Sequence, residues 1–153
     1  MKKFLITLLL LVCVLPLTGC LKKDTIDVEK FTSEMEGRGF NVEKTADFAD
    51  GPKGLNVYYV ASKTGINYKV ELYVFDVKDN AKTAFANQKE TLNNTNSSNY
   101  TQTEMNGLNY STYTLGNDSG YYHIIRVDEK IIYAYGPAED KGDMKDIIKA
   151  LGY

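Results

Sequence analysis

Beyond residue 25 the spacing of apolar positions changes several times, and each change marks an element. Val28, Phe31 and Met35 recur at i, i+3 and i+7, one face of an amphipathic helix, with Thr25 or Asp27 as its N-cap and Gly37 and Gly39 as its stop. Phe40 and Val42 then alternate with Asn41 and Glu43, as in a half-buried strand. After the turn cluster Asp50-Gly51-Pro52-Lys53-Gly54, a second strand carries Leu55, Val57, Tyr59 and Ala61 on one face. A hairpin loop at residues 62–65 leads into the clearest strand, residues 66–77. There Ile66, Tyr68, Val70, Leu72 and Val74 point one way and Asn67, Lys69 and Glu71 the other, which predicts an antiparallel sheet with one covered and one wetter face.

Asp79 or Asn80 can cap a second helix over residues 81–92, with Ala81, Ala84, Phe85 and Leu92 inward. Residues 93–99 form a polar Asn/Ser run, in which the triplet Asn96-Ser97-Ser98 reads as a chance product rather than a glycosylation site. Strands over residues 100–105 and 108–115 are joined by Asn106-Gly107, a two-residue hairpin signal. After a loop at residues 116–120, strands over 121–127 and 130–135 pair across Asp128-Glu129. Pro137 ends the sheet, and Met144, Ile147, Ile148 and Leu151 form the apolar face of a last helix. A helix followed by strands thus occurs twice. The pattern predicts an α+β domain, an antiparallel sheet of about six to seven strands with about three helices packed on its apolar face.

The first twenty residues follow a different logic. Lys2 and Lys3 precede an apolar run at residues 4–17, 14 residues containing Pro16, against the ~20 a spanning helix needs. That combination reads as an export signal. Leu17-Thr18-Gly19-Cys20 resembles the lipobox of bacterial lipoproteins. The resemblance implies a diacylglyceryl thioether on Cys20 and cleavage between Gly19 and Cys20, and two acyl chains anchor stably where one is marginal. The expected organisation is a signal peptide over 1–19, the lipidated cysteine and a short tether over 20–25, and one domain over 26–153. With Leu21 after the cysteine and a Lys/Asn/Ile-rich composition, the expected location is the outer face of the cytoplasmic membrane of a Gram-positive cell. Gly39-Phe40-Asn41-Val42 and the Leu151-Gly152-Tyr153 close make the domain similar to small lipoproteins of low-GC Gram-positive bacteria, and the photosystem-accessory type of sandwich is one fold this suggests.

Removing residues 1–19 from 153 leaves 134, enough for one core but too few for two lobes around a ligand. Without Lys2 and Lys3 the basic count falls from 18 to 16 against 20 acidic residues, a net charge of −4 that gives no electrostatic reason to bind nucleic acid. Of the two cysteines, Cys13 leaves with the signal and Cys20 takes the lipid, so the domain has no disulfide, thiol nucleophile or thiolate metal site.

His123 is the single histidine, on a strand face with Tyr121, Ile125 and Val127, and reads as a structural residue. No zinc ligand set, serine-nucleophile elbow or EF-hand loop accompanies it, so neither a metal, a cofactor nor a catalytic residue is expected. Asp76, Asp79, Asp118, Asp128 and Glu129 fall at turns or strand ends, where capping and solvation are their ordinary roles. Tyrosine occurs 12 times and tryptophan not at all. Tyr58, Tyr73, Tyr122, Tyr133 and Tyr135 sit where alternation permits an open face, and Tyr73, Tyr133 and Tyr135 are the candidate binding residues, since tyrosine joins apolar area to a hydroxyl. The expected function is a non-catalytic, membrane-anchored module that binds an envelope protein, a peptide or a glycan. The alternatives are an accessory subunit of an envelope transporter or sensing system and a carboxylate-using hydrolase.

Overall fold

A computed structural model describes residues 22–46, 51–95 and 100–153; the signal segment, Cys20 and most of the Asn/Ser run lie outside the described residues. The elements run α1 (Val28–Gly37), β1 (Asn41–Thr45), β2 (Leu55–Ser62), β3 (Lys69–Phe75), α2 (Lys78–Thr95), β4 (Thr101–Asn106), β5 (Tyr110–Gly116), β6 (Gly120–Val127), β7 (Lys130–Pro137), a 3-10 turn Ala138–Asp140, and α3 (Lys141–Ala150). The strands form one seven-stranded sheet in the order β1-β2-β3-β7-β6-β5-β4, antiparallel at every pair. It is an α+β fold built from two meanders, β1–β3 and β4–β7, that meet at the β3–β7 pair.

The helices do not share one face. Phe31 and Met35 of α1 and Met144, Ile147 and Ile148 of α3 pack with Val70, Leu72, Ile125 and Ile132. Ala81, Phe85 and Leu92 of α2 pack on the opposite face with Phe75, Leu115, Ile124 and Ile131. The cause lies in the strands: Tyr73 and Phe75 make the second half of β3 apolar on both sides, and β6 and β7 likewise place Ile124 and Ile131 opposite Ile125 and Ile132. A sheet apolar on both faces needs cover on both. Because α2 packs chiefly on β3, β7 and β6, the β1–β2 side of its face lies outside the helix.

Local signals account for most boundaries. The Asp27 carboxylate caps α1, accepting from the Glu29 amide at 2.8 Å and the Lys30 amide at 3.2 Å. α2 starts earlier than its apolar period suggests and runs on to Thr95, so the start of the expected Asn/Ser loop, residues 93–95, is helical. A register irregularity between Leu55 and Val57 puts Leu55 opposite Phe75 and Val57 opposite Val74, so Leu55 joins the α2 face instead of sharing a side with Val57, Tyr59 and Ala61. Nor is the Asn106-Gly107 connection a two-residue turn. β5 begins at Tyr110, whose ring lies where a Cβ on Gly107 would be, 2.0 Å from its nearest atom, and Leu108 is left in solvent. Within the segment expected as a tether, the Lys23 and Asp24 backbones bond to the body, and Ile26, the first residue of the expected domain, is buried in the α1–α3 core. No helix among the described residues is long and apolar enough to cross a membrane.

At Gly136 of β7 the backbone of the chain entering β3 comes very close. A Cβ there would lie 2.3 Å from the Cβ and 2.8 Å from the Cα of Tyr68, backbone that has nowhere to move because Tyr68 is buried against Phe40. Gly136→Ala is therefore expected to destabilise the fold by about 1–3 kcal/mol in urea unfolding. Gly37→Ala, at a helical position with open space around it, should be neutral or stabilising by up to about 1 kcal/mol. Equal effects at the two sites would contradict this packing.

Candidate functional site

Residues paired across an antiparallel sheet share a face, and the register gathers the tyrosines by that rule. Tyr58 pairs with Tyr73, Val60 with Glu71, Glu71 with Tyr133, Lys69 with Tyr135, and Tyr135 with Tyr122. All five tyrosines singled out by alternation therefore lie on the face that α2 partly covers. Between them sits Glu71, only 5% exposed, although its strand position had suggested the wetter side. The alternation places it on the predicted face, but the aromatic rings close over it. Tyr58 donates its hydroxyl to Glu71 Oε1 at 2.7 Å, Tyr135 donates to the same oxygen at 3.0 Å, and Tyr73 donates to Oε2 at 2.6 Å. None of the ion pairs among the described residues reaches Glu71, so phenols rather than a cation satisfy the carboxylate. The rings of Tyr58 and Tyr73 lie 4.8 Å apart and those of Tyr133 and Tyr135 stack at 4.7 Å.

Burial, then the Glu71 charge and hydrogen bond, push the Tyr73 phenol far above its ordinary range, and the same causes raise Tyr135 to about 12. Tyr58 is raised by burial and by Glu71 too, and Tyr133 chiefly by burial. These hydroxyls therefore stay protonated and act as donors at any physiological pH. Tyr133 is buried and Tyr73 and Tyr135 are half-buried, so none of the three candidate residues is an exposed surface tyrosine.

Beside this cluster, α2 stands off the sheet and leaves a cleft of about 310 Å³. Tyr73, Phe75, Ile131 and Tyr133 form its floor, and Asn87, Gln88 and Thr91 rise along the helix as a polar rim. None of the residues lining it carries a charge. Such a cleft can enclose an apolar group and hydrogen-bond whatever leads to it. Tyr73 and Tyr133 thus belong to both the cleft and the Glu71 cluster, whereas Tyr135 lies outside the cleft on the same face.

His123 lies on the other face, paired with Thr114 and Ala134. Burial first, then Lys145, pull its imidazole down to about 4, and Tyr121 Oη lies 3.4 Å from Nδ1. It borders an open groove of about 710 Å³ lined by Thr103, Lys141, Lys145 and Lys149 together with Tyr121, Ile148 and Tyr153, and separated from Glu71 by the thickness of the sheet. No group of three or more His, Cys, Asp or Glu among the described residues could hold a metal ion.

Two measurements probe these groups. Tyr73→Phe is expected to cost about 1.5–3 kcal/mol in urea unfolding, the range for a hydrogen bond to a charged acceptor, and much less in a Glu71→Ala background where the acceptor is gone. Additive costs would mean that the bond contributes nothing. For His123, the folded-state value of about 4 lies below the ordinary 6.5, so the unfolded chain binds the proton first as pH falls. Its contribution is complete above pH 6.5 and lost between 6.5 and about 4, a change on the order of 3 kcal/mol. His123→Gln should flatten the stability profile across that window, and an unchanged slope would count against the buried neutral imidazole.

No protein-family model matches the chain, and no curated protein matches it. Among solved structures, a GTP binding regulator from Thermotoga maritima is similar at 14% identity and a TM-score of 0.46, over 82% of this chain and 84% of that one.

Proposed function

We propose that the chain is an exported, lipid-anchored module that binds a partner without catalysis, using the cleft beneath α2 to hold an uncharged, apolar segment of an envelope protein or peptide. The observation that carries this reading is the cleft itself: an aromatic and aliphatic floor, an amide and hydroxyl rim, and no charged side chain in the lining. Phe75, Ile124 and Ile131 suit an aliphatic or aromatic side chain better than a sugar ring, whose hydroxyls need denser polar partners than one rim supplies. The placement of the ionisable groups supports a non-catalytic role. Glu71 is engaged by three phenols, and His123 lies across the sheet, so no acid and base converge on one space. The anchor rests on Leu17-Thr18-Gly19-Cys20 and the short apolar run before it.

Two tests separate anchor from cleft. Mass spectrometry of the mature protein should find diacylglyceryl on Cys20, and Cys20→Ala should accumulate as an unmodified precursor; an unmodified Cys20 peptide from mature wild type would remove the anchor. For the cleft, a photo-crosslinking residue at the exposed position Asn87 should capture one partner on intact cells. Thr91→Trp, which fills the cleft from an exposed position, should weaken that partner about thirtyfold, the ordinary consequence of losing about 2 kcal/mol at an interface centre. Capture unaffected by Thr91→Trp would exclude the cleft as the binding site.

A further inference from the structure

The end of the sheet where the described chain begins is tied together by hydrogen bonds and carries apolar side chains facing out. The Lys23 amide donates to Asn109 Oδ1 at 2.9 Å, and Asn109 Nδ2 donates to the Lys23 carbonyl at 2.7 Å and to Asp128 Oδ2 at 3.0 Å. Tyr153 donates its hydroxyl to the Asp24 carbonyl at 2.9 Å, and Lys130 Nζ donates to the Ile26 carbonyl at 2.8 Å. The buried Arg126 braces the same end, donating to the carbonyls of Asn109 and Asp128 and to Ser111 Oγ. Residues 22–26, the β4–β5 hairpin, the β6–β7 turn and the C-terminal residues are thereby locked together.

Cys20 precedes Lys23 by three residues, a reach of at most about 10 Å even if fully extended. Any lipid on Cys20 therefore holds this end of the domain, and no other, at the bilayer. The exposed apolar side chains gather at the same end. Among the described residues the large exposed hydrophobic side chains are Leu108 at 78%, Met105 at 54%, Val77 at 51% and Tyr100 at 36%. Leu108 adjoins Asn109, Met105 accepts from the Tyr110 hydroxyl in the same hairpin, and Val77 precedes Lys78, which is paired with Asp128. Tyr100 alone lies at the far end, before β4. Exposed apolar side chains gathered at one end of a domain mark an interaction surface, and here the length of the connecting chain names the partner.

We propose that the β4–β5 hairpin tip, with Leu108 and Met105, and the β3–α2 connection, with Val77, form a bilayer-contacting face that fixes the domain's orientation beside the lipidated cysteine. The inference rests on the lipid anchor proposed above. The contact is apolar rather than electrostatic: Asp128 is already paired with Lys78, and the domain is acidic overall. Held this way, the strands stand away from the membrane and the cleft under α2 opens sideways, within reach of other membrane-bound partners.

The absence of tryptophan makes a direct test possible. Full-length, processed protein carrying Leu108→Trp, Val77→Trp or, at the opposite end, Ser119→Trp is reconstituted in phosphatidylcholine–phosphatidylglycerol vesicles with brominated acyl chains. Emission from residues 108 and 77 should be quenched severalfold more than emission from 119, with no loss of the difference at high salt. Adding Leu108→Asp to Val77→Trp should reduce quenching at 77, which controls for the affinity of tryptophan itself for interfaces. Equal or absent quenching at the two ends, or no response to Leu108→Asp, in protein that still floats with the vesicles would overturn the orientation alone. Protein that fails to float and carries no lipid on Cys20 would remove the anchor and this proposal with it.

Discussion

A carboxylate enclosed in a sheet must be met by hydrogen-bond donors, and Glu71 is met by three tyrosine hydroxyls from β2, β3 and β7. These strands straddle the seam where the two meanders join. A slip of one residue at β3 would turn Glu71 toward the side of Leu72, into the aliphatic core beneath α1 and α3, and strip the phenols of their acceptor. The polar cluster therefore specifies how the halves fit together, a role that apolar side chains of similar volume would fill with less discrimination.

That register also shapes the candidate site. With Tyr58, Tyr73 and Tyr135 turned inward to the carboxylate, the rings form a firm wall, and Tyr73 and Tyr133 extend it into the floor of the cleft. Aromatic side chains locked by their own hydroxyls lose little further freedom when a partner arrives. The opposite face is sealed by α1 and α3 and serves the core, apart from the lysine-bordered groove near His123. One face thus carries the larger buried cluster and the other retains a concave surface.

The ends of the sheet differ as well. At one end Asn109, Asp128, Arg126 and Tyr153 tie hairpin, turn and chain entry into a unit. A docked entry segment fixes where the chain enters the body, whereas a flexible tether would leave the domain free to tumble about it.

How much of this the sequence by itself determined follows from the range of the forces involved. The α1 face with its Asp27 cap, the α3 face, the alternation of β3 and the Asp128-Glu129 turn all depend on neighbours within a few residues, and the structure has them where the pattern places them. The same alternation put Tyr58, Tyr73, Tyr122, Tyr133 and Tyr135 within reach of one face. The pairing of β3 with β7, more than fifty positions apart in the chain, was decided only by tertiary structure, and with it the burial of Glu71, whose lone charge amid apolar residues looks like an ordinary solvent-facing position. The helices divide between two faces because both sides of the central strands are apolar, a fact that becomes visible only once the strand order is known. Leu55 changes sides through a register irregularity, and the β4–β5 turn widens because the Tyr110 ring occupies the space beside Gly107. In each case a contact between distant segments overrode a local period, since burial of area across the sheet outweighs the small preference of any single turn or strand position.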